Sequence, residues 1–225
     1  MGFFGSELFE FLDELAENNN KAWFDANRDR FEADVREPCM EFIEAFAAPL
    51  GGISSHFRAI PKTQGGSMFR IHRDTRFSKD KAPYKTNAAL HFRHERAKDA
   101  HAPGYYLHLE PDNCFAGVGL WTPETRVQYD IREHLAENPE AWENAVASLG
   151  GGLELNRTQA LKRPPKGFEP DHPLIEDLKL KSFMAGTAVD QDVVMADDFL
   201  ATYTELLTTA TPLMTFLCDA VGVDF

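Results

Sequence analysis

The sequence has few cysteines and no long apolar run. Its three cysteines, Cys39, Cys114 and Cys218, are far apart and odd in number, which excludes a disulfide framework or a zinc knuckle. No apolar run approaches the roughly 18 residues that a membrane-spanning helix needs. The first residues lack the basic start of a signal peptide, since acids begin at Glu7. These absences predict a protein of the reducing cytoplasm with no membrane partner.

Positive charge is also scarce. The 225 residues contain 23 Lys and Arg against 36 Asp and Glu, so the net charge is −13. This charge repels nucleic acid and anionic membranes at long range, and we expect neither as a partner. A hydrophobic content of 43%, with 12% aromatic residues, is typical of a folded chain. The sequence names no protein partner.

Short catalytic motifs are missing as well. The chain has no Gly-Lys-Ser or Gly-Lys-Thr phosphate loop and no Gly-x-Ser-x-Gly elbow. His72, His91 and His108 fall in predicted strands, but their convergence on a metal would require a strand register that the sequence does not fix. We therefore predict no metal site, and we interpret His91 and His94 as solvated. The sequence identifies neither a cofactor nor a reaction, and it does not decide whether the protein is an enzyme.

The first 50 residues form an acidic helical layer in our interpretation. Leu8, Leu12 and Leu15 recur at helical spacing, and the run of asparagines at 18–20 ends this helix and can cap the next. The segment carries twelve acids and four basic residues. An apolar stripe with acids around it predicts helices that bury one face and expose the other.

Alternating patterns follow over residues 67–121. Phe69 and Ile71 alternate with polar residues and predict a strand that ends near Asp74. A second alternation includes Leu90 and Phe92, and a turn at 111–113 predicts a hairpin over 104–121. Successive strands without intervening helices favour an antiparallel sheet.

The rest of the chain alternates between helices and irregular segments. Residues 122–181 contain two predicted helix starts, at Thr122 and Asn138, and a proline-rich loop at 163–173. Residues 182–225 predict a strand near 183–189 and a long helix that bends at Pro212. We interpret residues 1–225 as one α+β domain, in which a mostly antiparallel sheet packs against N- and C-terminal helices.

The most informative stretch is the basic segment, residues 70–85. It holds six Lys or Arg and two acids, while the remainder of the chain holds 17 basic and 34 acidic residues. A segment of charge +4 inside an acidic protein either binds an anion or pairs with the protein's own carboxylates.

The first alternative is a small phosphorylated or carboxylated ligand. Guanidinium groups present planar forks that match carboxylate or phosphate, and lysine adds point charge. The candidate anion-binding residues are Arg70, Arg73, Arg76, Lys81 and Tyr84. The candidates for acid–base chemistry are His72 and Asp74, which share the segment.

The second alternative is a non-catalytic protein-interaction module. In that case Arg73, Asp74, Arg76 and Asp80 form a buried ion-pair network against the acidic helices, which fixes geometry and carries no chemistry. Residues alone leave both alternatives open.

The pattern Arg-x-x-Arg-Asp-x-Arg-Phe followed by Asp-Lys-x-x-Tyr resembles the signature of domain-of-unknown-function family 2461. It is carried here by Arg70, Arg73, Asp74, Arg76, Phe77, Asp80, Lys81 and Tyr84. The stretches 19–24, 119–121 and 165–168 are also similar to that family. The resemblance spans nearly the full length and implies one domain. It brings no established activity, so it transfers no catalytic role to any residue.

Overall fold

The computed structural model describes residues 2–96 and 102–225. Helix α1 (Ser6–Glu17) buries its apolar stripe, and Asn20 caps α2 (Lys21–Ala26) by accepting a hydrogen bond from the Trp23 N–H at 3.1 Å. The chain then continues through α3 (Arg28–Arg30), a π-helix (Phe31–Arg36) and α4 (Glu37–Ile53). The predicted acidic helical layer is therefore present.

In the part of the chain that the structure describes, the sheet has six antiparallel strands in the order β1-β2-β3-β4-β6-β5. The strands are β1 (Phe57–Arg58), β2 (Ala88–His94), β3 (Gly104–Leu109), β4 (Phe115–Leu120), β5 (Glu154–Leu155) and β6 (Phe183–Ala188). The predicted hairpin is confirmed as β3 and β4, and the predicted late strand is confirmed as β6. The α+β class with an antiparallel sheet is confirmed too.

The predicted strand over 69–74 is wrong. The backbone there pairs only at two isolated bridges, Met68 with Leu90 and His72 with Tyr84. Between them the regular pleat is lost, so Phe69 and Ile71 do not share a face. Ile71 lies in the core, whereas Phe69 stacks on His91 on the other side of the sheet.

Helices α5 (Thr125–Glu137), α6 (Pro139–Ala147) and α7 (Ile175–Leu178) lie between β4 and β6. Helix α5 begins at Thr125, two residues after the predicted first helical position at Pro123, because Thr122 has a φ of 42° and its N–H donates to Ser182 Oγ at 2.9 Å. The chain ends in α8 (Gln191–Met195), α9 (Phe199–Thr209) and α10 (Thr211–Ala220). The predicted single bent helix is therefore two helices that meet at Ala210.

The two faces of the sheet differ in what covers them. One face packs on the helices, as shown by the ring centroids of Phe92 on β2 and Phe46 on α4, which lie 4.7 Å apart. Its side chains are buried: Leu90, Phe92, Tyr105, Leu107, Leu109, Ala116, Val118, Leu120, Phe183 and Ala185. The opposite face, which we call the open face, carries a cleft. Among residues 2–96 and 102–225, every helix is too short or too polar to cross a membrane.

Candidate functional site

The cleft on the open face has a volume of about 600 Å³. Four neighbouring strands, β2, β3, β4 and β6, form its floor, and the basic segment forms one wall. The lining side chains that matter for its chemistry are Phe69, Arg73, Lys85, Asn87, Tyr106, Phe115 and Trp121. A concave site of this volume is typical of small-molecule binding.

Glycines keep the floor of the cleft low. Gly104 on β3 pairs with Gly119 on β4, and Gly117 lies two residues before Gly119. Gly119 has a φ of 116°, and a Cβ there would overlap the carbonyl oxygen of Phe183. A Cβ on Gly104 would overlap the ring of His91. A side chain therefore does not fit at Gly104 or Gly119, and bare backbone forms this part of the cleft floor.

Aromatic rings form the walls. Phe69 stacks on His91 with centroids 5.9 Å apart, and Tyr106 lies 5.5 Å from Phe115 by the same measure. Trp121 stands at the rim with 48% of its surface exposed. These rings offer flat apolar surface to a ligand.

Lys85 places positive charge at the cleft wall. Its Nζ lies 5.0 Å from the centroid of the Phe69 ring. Partial burial lowers the pKa of Lys85, and the positive charge of Arg70 lowers it further. Among the described residues no carboxylate lies within ion-pair distance of Lys85, so none of them neutralises its charge by an ion pair.

A smaller cavity of about 400 Å³ lies beyond the Phe69–His91 stack. The loop at 63–68 forms part of it, and Arg70 and Arg93 contribute guanidinium groups. The stacked pair lines both cavities and therefore forms the partition between them.

A chain of polar side chains leads away from the cleft along β3. The Tyr106 hydroxyl lies 3.0 Å from Nδ1 of His108, and Nε2 of His108 lies 3.3 Å from a carboxylate oxygen of Glu110. Tyr106 and His108 alternate on β3 and therefore share the open face, and Glu110 directly follows the end of the strand. The Asn87 amide nitrogen lies 3.0 Å from Nδ1 and 3.4 Å from Nε2 of the same imidazole.

Burial and hydrogen bonding set the charge states of this chain. Burial raises the pKa of Tyr106 to about 12, with a further contribution from Glu110. Burial lowers the pKa of His108, and the hydrogen bond to Glu110 opposes this only in part. Partial burial raises the pKa of Glu110, but hydrogen bonds from Asn113, His108 and Thr86 outweigh it, so its pKa lies below the ordinary value. At neutral pH the phenol and imidazole are neutral and Glu110 is ionised.

The structure separates the seven residues that the sequence singled out. Arg73 and Asp74 line the large cleft, and Arg70 lines the small cavity. The remaining four line neither: His72, Arg76, Lys81 and Tyr84.

The charges of the basic segment pair mostly within its own loop. Arg73 donates to Asp80 at 2.5 Å, and Arg76 donates to Asp74 at 2.6 Å. Lys81 donates to the Thr75 carbonyl at 2.8 Å. The ion pairs are thus local and largely exposed, not buried against the acidic helices, because the loop projects from the sheet. The hydrogen bond from Arg76 lowers the pKa of Asp74, which makes its carboxylate a weaker base.

Tyr84 anchors the end of the basic segment to the N-terminal helices. Its ring is 4% exposed and stacks on Phe24 with centroids 4.1 Å apart. The Asn19 side chain donates to the Tyr84 carbonyl and accepts from the Tyr84 N–H, both at 3.0 Å. His72 lies 6.3 Å from Phe24, centroid to centroid. The two sequence signatures at 19–24 and 70–84 therefore meet in space and hold the neighbouring Lys85 at the cleft.

Sequence reasoning counted Lys85 among the point charges of the basic segment but did not place it in the candidate site. It missed two further groups, the Tyr106–His108–Glu110 chain and the glycine floor. The alternation of Tyr106, His108 and Glu110 in a predicted strand was a usable signal for the first of these. The glycines face one cleft only through the strand register, which the sequence does not encode locally.

The histidines do not form a metal centre in the described part of the chain, where no cluster of three His, Cys, Asp or Glu could hold an ion. His91 and His94 are both buried, which corrects their interpretation as solvated. The Nε2 of His94 contacts the Asp224 carbonyl oxygen at 2.8 Å, because the C-terminus folds back on the end of β2.

Residues 7–216 match the sequence profile of a family described as conserved hypothetical protein, DUF2461. The match covers most of the chain, which therefore belongs to this family. No curated protein matches the sequence.

Proposed function

We propose that the cleft binds a small molecule that combines a carboxylate or phosphate group with a flat or apolar body. The observation that carries this proposal is the unneutralised Lys85 at the wall of a cleft with a glycine floor. The proposal keeps the ligand class expected from the sequence and shifts the principal anion contact from the arginines to Lys85.

Lys85 supplies the energetic reason for an anion. An ammonium group that loses water without gaining a carboxylate is held at a cost, as the lowered pKa of Lys85 reflects. A bound anion would relieve that cost and form charge-assisted hydrogen bonds. Arg73 lines the same cleft and could add a second contact while it retains Asp80.

The walls supply the reason for the rest of the ligand. Phe69, Tyr106, Phe115 and Trp121 offer ring faces, and the strand backbone of the floor lets a flat body approach closely. A ligand with only a charged group would leave this apolar surface unused.

The alternative function, a non-catalytic interaction module, is favoured by one observation. The Arg73–Asp80 and Arg76–Asp74 pairs satisfy their loop internally, as expected of a structural ion-pair network. Under this alternative Arg73→Ala lowers the melting temperature and no small anion changes it.

The test is a thermal-shift and calorimetric panel of phosphate, sugar phosphates, nucleotides, and aliphatic and aromatic carboxylates. A ligand at about 100 times its Kd stabilises the fold by about 2.7 kcal/mol. We expect a selective ligand whose Kd weakens about tenfold in Lys85→Met, since a charge-assisted hydrogen bond contributes roughly 1.5–3 kcal/mol.

Lys79→Met is the matched control. Lys79 belongs to the same basic segment and lines neither cavity, so its replacement removes the same charge without touching the cleft. We expect its ligand affinity to stay near that of the wild type. Equal losses in both variants, or a panel without any selective ligand, would contradict the proposal.

A further inference from the structure

We infer that the Tyr106–His108–Glu110 chain is a proton relay, in which Tyr106 is a catalytic general base toward the ligand and His108 stores the proton. The inference deepens the proposed function and rests on it, because the relay acts on whatever the cleft holds. It assigns proton abstraction or hydroxyl activation as the reaction class.

The geometry orders the three side chains. Tyr106 lines the cleft, His108 lies behind it, and Glu110 closes the chain. With Nε2–H donated to Glu110, the Nδ1 lone pair of His108 faces the phenol hydroxyl and the Asn87 amide, each at 3.0 Å. A hydroxyl, an imidazole and an orienting carboxylate in sequence are the arrangement that activates a weak acid.

Neighbouring side chains hold the relay in place. Glu110 accepts hydrogen bonds from Thr86 at 3.1 Å and from Asn113 at 2.6 Å, which fix the carboxylate toward His108. Phe115 on β4 stacks on the His108 ring with centroids 4.5 Å apart. Positioning of both the imidazole and the carboxylate is what a relay requires.

The His108 imidazole contacts side chains of β3, of β4 and of the segments next to β2 and β3. Tyr106 contacts it from its own strand, and Glu110 contacts it from the residue that follows the strand. Asn87, which precedes β2, and Phe115 on β4 contact it without a titratable group. The only permanent charge in contact with the imidazole, within the described residues, is therefore the Glu110 carboxylate.

The relay step balances without a free tyrosinate. The Tyr106 oxygen takes a proton from the ligand while its own proton passes to Nδ1 of His108. The product is a neutral phenol and an imidazolium beside the Glu110 carboxylate. This route suits a phenol whose pKa is near 12, since a tyrosinate would be scarce at neutral pH.

The test uses N-acetylimidazole, which acylates phenol hydroxyls, and follows each tyrosine by peptide mass spectrometry. In this reaction the Tyr106 oxygen forms a bond to the acetyl carbon while the acetyl carbon–nitrogen bond breaks. The phenol proton passes to Nδ1 of His108, and the departing imidazolate takes a proton from water to leave as imidazole. The exposed Tyr129 serves as the reference phenol in the same sample. Rates are measured from pH 5 to pH 9.

The expected Tyr106 rate rises with a midpoint below pH 6.5, where His108 loses its proton, and then stays level. A Tyr106 that acts alone would react only in proportion to its tyrosinate, and its rate would climb throughout the range. That profile, or an unreactive Tyr106, would overturn the relay.

Two variants locate the proton acceptor. His108→Asn keeps a hydrogen-bond acceptor near Nδ1 but cannot store a proton, so we expect Tyr106 acylation to fall about 100-fold at pH 7.5. Glu110→Gln should move the midpoint to lower pH, because the imidazolium loses its counter-charge. A wild-type rate in both variants would also overturn the relay.

This experiment separates the inference from the proposed function. It needs no ligand and does not involve Lys85. Anion binding that depends on Lys85, together with an unreactive Tyr106, would end the relay and leave the binding site. A His108-dependent Tyr106 without any anion binding would end the proposed ligand class instead.

Discussion

The two faces of the sheet have different roles. On the covered face, Phe92 is wholly buried against Phe46 of α4, and Tyr105 is wholly buried beside Phe57 of β1. On the open face, adjacent residues of the same strands, such as His91 and Tyr106, line a cleft floored by glycine. Because successive residues of a strand point to opposite sides, one strand serves both.

The difference shows how stability and chemistry are divided in this fold. Burial of large apolar side chains stabilises the covered face, at roughly 1.5–3 kcal/mol for each. The open face forgoes much of that gain, since glycines and partly buried polar groups occupy its central positions. Surface that is left unfilled at such a cost is expected where a ligand fills it.

The largest expected effect comes from the same substitution on the two faces. Phe92→Ala removes a fully buried ring and should lower the free energy of unfolding by about 3–5 kcal/mol. Phe115→Ala removes a partly exposed ring of the cleft and should cost about 1–2 kcal/mol. Urea unfolding of both variants measures the difference, and equal costs would refute the division between the faces.

A second prediction fills the cleft without disturbing the core. A Cβ on Gly117 would meet Met184, Ala185 and Tyr106 only at ordinary contact distances of 3.6–3.8 Å. Gly117→Val should therefore change the free energy of unfolding by less than about 1 kcal/mol, because the loss of a flexible glycine offsets the added crowding. The same variant should abolish ligand binding, since the side chain occupies the cleft floor.

Gly117→Ala provides the graded control. Its single methyl group should weaken binding less than the valine does and leave the melting temperature near that of the wild type. Calorimetric titration of the two variants with the panel ligand measures the trend. Binding unchanged by valine would mean that the ligand lies elsewhere on the molecule.

The sequence predicted elements where one local pattern was sufficient. The β3–β4 hairpin and β6 follow from alternation and turn residues, and the helices follow from apolar spacing and caps. The chain beside β2 was mispredicted because it pairs with that strand at only two points, through β1 and through Met68. Between these points, over residues 59–66, the backbone leaves the sheet. Local alternation cannot show where a backbone leaves and rejoins a sheet.

The candidate site was predictable only in part, for a related reason. The basic segment was recognised, and it does form a wall of the cleft through Arg73 and Asp74. Which of its charges would be neutralised depends on contacts across the loop, such as that between Arg73 and Asp80. The isolation of Lys85 and the convergence of glycines from separate strands are properties of the folded register.

The smallest expected effect is a pH dependence that belongs to the open face. The folded-state pKa of His108 lies below its ordinary value of 6.5, so the unfolded chain binds this proton first as the pH falls. The free energy of unfolding should therefore decrease from pH 6.5 down to the folded-state pKa of His108. For Glu110, whose pKa is lowered from 4.5, the stabilisation is present above pH 4.5 and is lost as the pH falls through its folded-state pKa.

Because the two pH ranges differ, variants of His108 and Glu110 can be used to measure the two contributions to stability separately. The loss of stability between pH 7.5 and pH 5.5, measured by urea unfolding, should be smaller in His108→Asn than in the wild type, because the variant has no imidazole to protonate in the unfolded chain. In Glu110→Gln the loss of stability below pH 4.5 should be smaller than in the wild type, because the variant has no carboxylate to protonate at this position. Phe92→Ala lowers stability at every pH and should leave both slopes unchanged, since it removes no titratable group. Identical slopes in the wild type and His108→Asn would show that this imidazole is as well hydrated in the folded protein as in the unfolded chain. The open face would then lack the desolvated relay that distinguishes it from the covered one.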